Sequence, residues 1–312
     1  MTAPAVLALH DGRAGNARQA LALARALDAQ ALEHVVEPRA PWRWLAPRRL
    51  PLAARALGLA RLPNADLCVG CGRQAALATR LLRARGQRAV QLLDPRIDPR
   101  HWDLVVAPRH DRIVGENVLH TLGSLNPVDD DWLRRARAAL PALALLPVPH
   151  TVLLVGGPTR HAALPDAAFA GLLGDLAARV RAEAGSLSVV ASPRTPPAWR
   201  LALLGLPRDV PGIRWRDSGD GPNPYAGLLA HASRIVCTPD SVNMLSEAAA
   251  TGVPVFAWRP EAARGRLRAF LEALQDAGHV RVLDDAMAGN AAPTPLREMA
   301  RIAALVRARL WC

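Results

Sequence analysis

The strongest constraint on the fold is an alternation that runs through most of the chain. Short apolar runs are each followed by a stretch of Ala, Leu and Arg with helical spacing. "AVLALH" (5–10) reads as a strand and "ARQALALARALDA" (17–29) as a helix. "ADLCVGC" leads into "RQAALATRLLRARG", and "AVQLLD" and "DLVVAP" read as further strands. Such alternation builds a mostly parallel sheet with helices on both faces. In "LPALALLPVPH", Pro141, Pro147 and Pro149 are excluded from a regular helix interior or a central strand, so this stretch reads as a linker. A second alternation follows. "TVLLVGG", "SLSVVAS", "GIRWRD", "RIVCTPD" and "VPVFAW" are its strands. "DAAFAGLLGDLAARVRAEAG", "PPAWRLALLG" and residues 241–251 and 262–277 are its helices. The expectation is α/β: two facing Rossmann-like domains with a cleft between them. Residues 1–146 form an N-terminal acceptor-side domain and residues 147–292 a C-terminal donor-side domain. Residues 293–312 hold a basic amphipathic helix that packs back on the N-terminal domain. Rossmann-like halves place ligands at the carboxyl ends of their strands.

Composition narrows the chemistry. All 39 basic residues are Arg, so no lysine serves a Walker A loop, a Schiff base or a Tyr-x-x-x-Lys pair. A net charge of +12 favours anions: nucleotides, nucleic acid or an acidic membrane face. One Tyr, three Phe and eight Trp provide few stacking platforms, which weakens the nucleic-acid reading. No apolar run approaches the ~18 uncharged residues of a membrane span. The first residues lack the basic, then apolar, plan of a signal peptide. The expected location is cytoplasmic, soluble or peripheral on the inner face of a membrane. Cys68 and Cys71 form a C-x-x-C, which reads either as a redox or metal pair or as small buried thiols.

Several stretches carry candidate chemistry. In "LHDGRAGNARQA", Gly12 and Gly15 permit a tight turn into a helix whose first N–H groups suit an anion, and an ordinary strand–helix turn would look the same. His10 and Asp11 are able to take a proton there. "LLVGGPTRH" offers Gly156 and Gly157 for close approach to a pyrophosphate, with Arg160 as a fork and His161 behind it. "ASPRTPP" adds Arg194 and Thr195. In "TPDSVNMLSEAAATGVPVF", positions 240, 243 and 247 share one helix face. Asp240 suits an N-cap, Ser241 and the helix start suit phosphate, and Glu247 suits the two hydroxyls of a ribose. Asn243 completes the stripe, which is expected to face a cleft. Arg109, His110 and Asp111, and Asp94 with Arg96, fall at strand ends of the first half, as cleft residues or as structural ion pairs. Arg13, Asn16, Gln19 and Arg73 join them as acceptor-side candidates. Residues 41–63 mix Trp42 and Trp44 with Arg43, Arg48, Arg49 and Arg55. They suit an acidic membrane surface or a packed excursion between strands.

Taken in order, "DGRAGNARQALALARAL", "VGCGRQAALATRLL", "QLLDPR", "VAPRHD", "TLGSLNPV", "LVGGPTRH", "SPRTP" and "CTPDSVNMLSEAAATGVPVF" resemble the elongated-mitochondria (mitochondrial fission ELM) family and its bacterial relatives. The resemblance spans residues 6–258. It implies the GT-B architecture of glycosyltransferases. The helix at 240–251 is similar to the donor-binding helix of the peptidoglycan N-acetylglucosaminyl transferase, where a Glu in an S-x-x-E-A context holds the donor ribose. Ser241, Asn243, Ser246 and Glu247 stand at that motif, with one extra polar pair in the spacing. Gly12 and Gly15 match the first glycine loop, which here is not a glycine-rich run, and Gly156 and Gly157 match the second. The plant namesakes recruit fission machinery. The expected activity is glycosyl transfer from a nucleotide-diphosphate sugar, with no cofactor or metal. Asp11 or His10 is the base, and His110 the reserve. The acceptor is lipid-linked or another compound at an acidic membrane surface. The alternatives are a non-catalytic scaffold and a nucleotide-sugar isomerase or epimerase.

Overall fold

The computed structural model describes residues 5–284, 287 and 293–311. The chain forms two compact units. One runs up to Pro127 and resumes at Glu298, and the other is Val128–Arg297.

The first unit contains β1 (Val6–His10), α1 (Ala14–Leu27), β2 (Leu32–Val35), α2 (Trp42–Leu45), α3 (Ala53–Ala56), β3 (Leu67–Cys71), α4 (Arg73–Arg83), β4 (Arg88–Leu92), β5 (Leu104–Pro108) and β6 (Val118–Thr121). Its six strands are all parallel, in the order β2-β1-β3-β4-β5-β6. Every residue of β1, β3 and β5 is buried, which explains their unbroken apolar runs: both sheet faces are covered. Helix α1 starts at Ala14, earlier than its apolar spacing predicts. Gly12, at φ +77°, lets the chain leave the strand at once, so Gly15 and Asn16 are helical rather than loop residues.

The second unit contains α5 (Asp130–Ala139), β7 (His150–Val155), α6 (Asp166–Ala182), β8 (Ser186–Ala191), α7 (Pro197–Ala202), β9 (Arg214–Trp215), α8 (Tyr225–His231), β10 (Arg234–Cys237), α9 (Val242–Ala249), β11 (Val255–Ala257), α10 (Arg266–Asp276) and β12 (Arg281–Val282). Its sheet is again wholly parallel, ordered β12-β11-β10-β7-β8-β9. Phe169 stacks on Trp199 at 4.1 Å, and both meet Trp258 edge-on, in the main core of this unit. The Pro-rich stretch lies inside this unit. Pro141–Leu145 forms a 3-10 turn with Leu143 buried. A Cβ at Gly227 would lie 2.5 Å from Leu140, so glycine allows α8 to sit against that turn. Finally α11 (Met299–Leu310) packs on α1, placing Ile302, Ala303 and Val306 in one cluster with Ala20, Leu23 and Leu27. The fold is thus two Rossmann-like α/β units, the class expected from the alternation.

Candidate functional site

The second unit gathers its polar residues where β7, β8 and β10 end side by side. The Gly156 N–H donates to Thr238 Oγ1 at 2.8 Å, and the Thr238 hydroxyl donates to Asp240 Oδ1 at 2.7 Å. Arg194 Nη2 donates to Asp240 Oδ2 at 2.9 Å. The Asp240 side chain is fully buried, whereas that of Arg194 is 52% exposed. A buried carboxylate needs such partners, and a charge-assisted pair is the strong kind. A Cβ on Gly156 would lie 2.2 Å from both Asp240 carboxylate oxygens, so glycine is required there. One on Gly157 would lie 2.6 Å from the Arg194 carbonyl oxygen, which brings the loops after β7 and β8 together. Thr195 Oγ1 sits 2.6 Å from the Gly156 carbonyl and 2.9 Å from that of Val155, and accepts the Ser192 N–H. The Thr195 hydroxyl therefore braces the loop from within. Arg200 adds to this by donating to the Ser192 and Thr195 carbonyls.

Helix α9 begins on Ser241, whose hydroxyl accepts the Met244 N–H; Asp240 is not its N-cap. Thr238 and Arg194 draw the Asp240 carboxylate away from the helix start. Asn243 is half-buried and Glu247 is 2% exposed. Glu247 accepts a hydrogen bond from the hydroxyl of Tyr225, at the start of α8. The polar stripe is thus buried at both ends, Asp240 and Glu247, and half-buried at Asn243, rather than open along its length. Arg160 and His161 are exposed in the loop after β7, with Arg160 Nε donating to His161 Nε2 at 2.9 Å.

In the first unit the candidates also fall at strand ends. They follow β1, β3, β4 and β5, four neighbouring strands of that sheet. His10 is 3% exposed, and its Nδ1 accepts the Gly12 N–H at 3.1 Å. Nε2 therefore carries the ring proton and donates to Glu33 at 2.8 Å. Both nitrogens are occupied. Asp11 Oδ1 accepts from Asn16 Nδ2 at 2.9 Å, and Arg13 Nε lies 3.7 Å from Oδ2. A Cβ at Gly72, φ +94°, would lie 2.7 Å from Asn16 Nδ2 and 3.0 Å from Asp11 Oδ2. Asp11, Asn16 and Gly72 thus form one cluster. Asp11, Arg13 and Gln74 then line a 520 Å³ cavity with Glu37, Arg39, Arg43 and Trp44. Gln19 is buried in α1 and reaches back to the Gly15 carbonyl, while Arg73 is exposed at the start of α4. Asp94 accepts the Arg96 N–H at 2.8 Å. Arg109, His110 and Asp111 form a 3-10 turn after β5, with Arg109 exposed and the other two half-buried.

Cys68, Cys71 and Cys237 are buried free thiols. Burial pushes Cys68 up to about 12. Cys71 and Cys237 are also raised, by burial first and then by the nearby Asp11 and Asp240. The C-x-x-C therefore holds small buried thiols. Among the described residues no three His, Cys, Asp or Glu side chains gather as a metal site. Asp129 to Asp131 match a D-x-D pattern, but Asp129 caps α5, Asp130 pairs with Arg297 and Asp131 with Arg134.

Residue spacing alone did not single out Tyr225, Thr238, Gly72 or Gln74. Thr238 stands beside Asp240 in sequence, so its part in the clamp was within reach. Tyr225 lies 22 residues from Glu247 and meets it only through the packing of α8 on this unit.

Two Rossmann-like α/β units in one chain are consistent with the GT-B architecture. The UDP-GlcNAc 2-epimerase from Methanocaldococcus jannaschii matches with a TM-score of 0.60 at 12% identity, covering 98% of this chain and 100% of that one. The S. aureus MnaA–UDP co-structure matches at 0.55 and 13%, over 98% and 96% of the two chains. The calicheamicin glycosyltransferase CalG4 matches at 0.52 and 16%, over 100% and 99%. At such identities the likeness is one of fold. The chain belongs to the mitochondrial fission ELM1 family, whose model matches residues 14–310. Mitochondrial fission protein ELM1 of Arabidopsis thaliana is 29% identical over 274 residues, 78% of this chain and 64% of that protein. The uncharacterized protein RP120 of Rickettsia prowazekii is 31% identical over 88 residues, 27% of this chain and 25% of that one. The chain thus spans less than two thirds of the length of these relatives.

Proposed function

We propose that this chain is a metal-independent glycosyltransferase, a bacterial member of its family, that takes its sugar from a nucleoside diphosphate. The observation that carries this reading is the Arg194–Asp240–Thr238 clamp over Gly156. Asp240 holds one edge of the Arg194 guanidinium and leaves half of the side chain exposed. A cation fixed before the ligand arrives loses little freedom on binding a diphosphate. The start of α9 adds backbone N–H groups with partial positive charge. Glu247, on the same helix, is assigned to the donor ribose; it is buried and bonded to Tyr225, so this contact requires the α8–α9 pair to open toward the ligand. Arg160 joins at the mouth of the loop.

The first unit takes the acceptor, a lipid-linked or other hydroxyl compound reached at an acidic membrane surface from the cytoplasmic side. Asp11 is the base. His10 holds Glu33 and the Gly12 N–H, which suits orientation of the loop rather than proton transfer. His110 remains the reserve base. In the reaction the acceptor oxygen forms a bond to the anomeric carbon and gives its proton to Asp11. The bond from that carbon to the diphosphate breaks, and its electron pair leaves with the diphosphate. Arg194 and the α9 start stabilise the charge that develops there. Phosphate neutralisation by arginine replaces the usual role of a divalent cation in this scheme.

A second reading is a non-catalytic binding or scaffold protein on the same fold. It is favoured by membership in a family named for mitochondrial fission and by the internal partners of His10 and Thr195. An oxidoreductive epimerase of the Tyr–Lys type is disfavoured, because the chain lacks Lys and its Tyr225 is bonded to Glu247. Turnover separates these readings. UDP-, GDP- and ADP-sugars are incubated with the protein and a lipid extract, and products are followed by phosphorus and proton NMR. Transfer predicts release of the nucleoside diphosphate, slowed about a hundredfold or more in Asp11→Asn with donor affinity kept. An epimerised donor without release indicates an isomerase. No change in any donor supports the scaffold and overturns the transferase.

A further inference from the structure

Between β2 and β3 the chain makes an excursion with two unlike faces. Ala46, Ala53, Leu57 and Leu59 are buried in a core cluster with Leu7, Leu9 and Leu77. Trp42 Nε1 donates to the Pro51 carbonyl at 3.1 Å, which ties the α2 turn to the chain entering α3. The excursion is therefore a packed element and not a loose loop. Its outer residues are of another kind. Trp44 is 70% and Leu52 69% exposed, and Leu45 is exposed as well. Six arginines, at 39, 43, 48, 49, 55 and 61, are all exposed, and no Asp or Glu occurs between Pro38 and Ala65. Elsewhere in the chain exposed arginines commonly sit beside a carboxylate, as in Arg181–Asp209 and Arg268–Glu272. Among the described residues none of these six forms an ion pair, although Glu37 and Asp11 line one cavity with Arg39 and Arg43. Arg80, which donates to the Pro47 carbonyl beneath this face, has its pKa lowered by burial first and then by Arg49.

We propose that this face docks on an anionic bilayer, with the guanidinium groups among lipid phosphates and Trp44, Leu45 and Leu52 in the interfacial layer. Charge complementarity selects the occupant: a run of exposed arginines interleaved with an exposed Trp and Leu fits a surface that is anionic outside and apolar within. Arginine on a flexible stem also reaches phosphates while its methylenes stay against apolar groups. No helix among the described residues is long and apolar enough to cross a membrane. Trp44, Arg39 and Arg43 also line the cavity that holds Asp11. Docking would therefore bring lipid headgroups to the mouth of that cavity. That last step rests on the transferase reading; docking itself does not.

Co-sedimentation of the full chain with vesicles tests the proposal. Vesicles of phosphatidylcholine alone are compared with vesicles containing about a third phosphatidylglycerol. The expected result is binding to the anionic vesicles, weakened by salt, and reduced roughly tenfold or more in Arg43→Glu/Arg48→Glu/Arg49→Glu. Brominated lipid should quench Trp fluorescence in the wild type, and the quenching should drop in Trp44→Phe. A circular dichroism spectrum and a denaturant midpoint like those of the wild type show that the charge variant is folded. Failure to bind anionic vesicles, equal binding to both compositions, or unchanged binding by the charge variant would each overturn the docking face. Binding to a soluble polyanion without binding to vesicles would overturn it in favour of another acidic partner. A chain that docks but releases no diphosphate from any donor keeps the membrane face and loses the transferase reading.

Discussion

Asp240 and Asp11 each lie beyond the end of an interior parallel strand, β10 and β1, yet their surroundings differ. Asp240 is fully buried and spends its charge on Arg194 and Thr238. Asp11 is 11% exposed, bonds to Asn16 and opens on a cavity. Asp240 holds the Arg194 cation in place, and under the proposed function Asp11 meets the substrate, a division that residue type alone does not reveal. Each also has a buried thiol nearby, Cys237 and Cys71, whose pKa is raised by burial and then by that carboxylate. Cys68 is raised from 9.0 to about 12 by burial. The folded chain keeps these thiols protonated where the unfolded chain ionises them. Their contribution to stability is whole below pH 9.0 and is lost as pH rises toward the folded values. The denaturant midpoint should therefore fall through this alkaline range more steeply in the wild type than in Cys68→Ala/Cys71→Ala/Cys237→Ala. Parallel curves would contradict the assigned environments.

At the scale of elements, the loops after β7, β8 and β10 act as one body. Gly156→Ala forces a Cβ against a carboxylate that Thr238 and Arg194 hold in place. The expected cost is about 1–3 kcal/mol of stability, read from denaturant unfolding. The same substitution in an Asp240→Ala background should cost less, with a coupling of about 0.5–3 kcal/mol. Strict additivity would show that the two loops do not share the strain. Strands and long helices were legible from apolar spacing, because a parallel sheet covered on both faces leaves an unmistakable pattern in β1, β3, β7 and β8. Helix starts were less so. Asp240 has the chemistry of an N-cap, but tertiary partners claimed it and left the cap to Ser241. Gly15 looked like part of a turn and is helical, since Gly12 alone supplies the left-handed residue. The excursion 41–63 offered a packed reading and a membrane-surface reading; its inner residues are packed in the core, and the membrane role of its exposed face is a proposal. Tyr225 was illegible as a partner of Glu247, because no local pattern brings α8 to α9.

For the whole molecule, two parallel sheets each carry their candidate site residues at the carboxyl ends of neighbouring strands. That edge is where strand-to-helix turns leave backbone N–H groups free and glycines let loops close in. The family match and the fold likeness extend over nearly the full chain, so they concern both units. Under the proposed function the second unit binds a nucleoside diphosphate through Arg194, the start of α9 and Glu247. The most direct measurement is a thermal-shift titration with UDP, GDP, ADP and CMP and their sugar adducts. The wild type and Glu247→Ala are each read against their own ligand-free melting temperature. A ligand at a hundred times its dissociation constant adds about 2.7 kcal/mol, a readily measured shift. One nucleotide is expected to raise the melting temperature of the wild type, with a shift that shrinks sharply in the variant. A wild type that no nucleotide stabilises, or a variant that responds as strongly as the wild type, would contradict the proposed function.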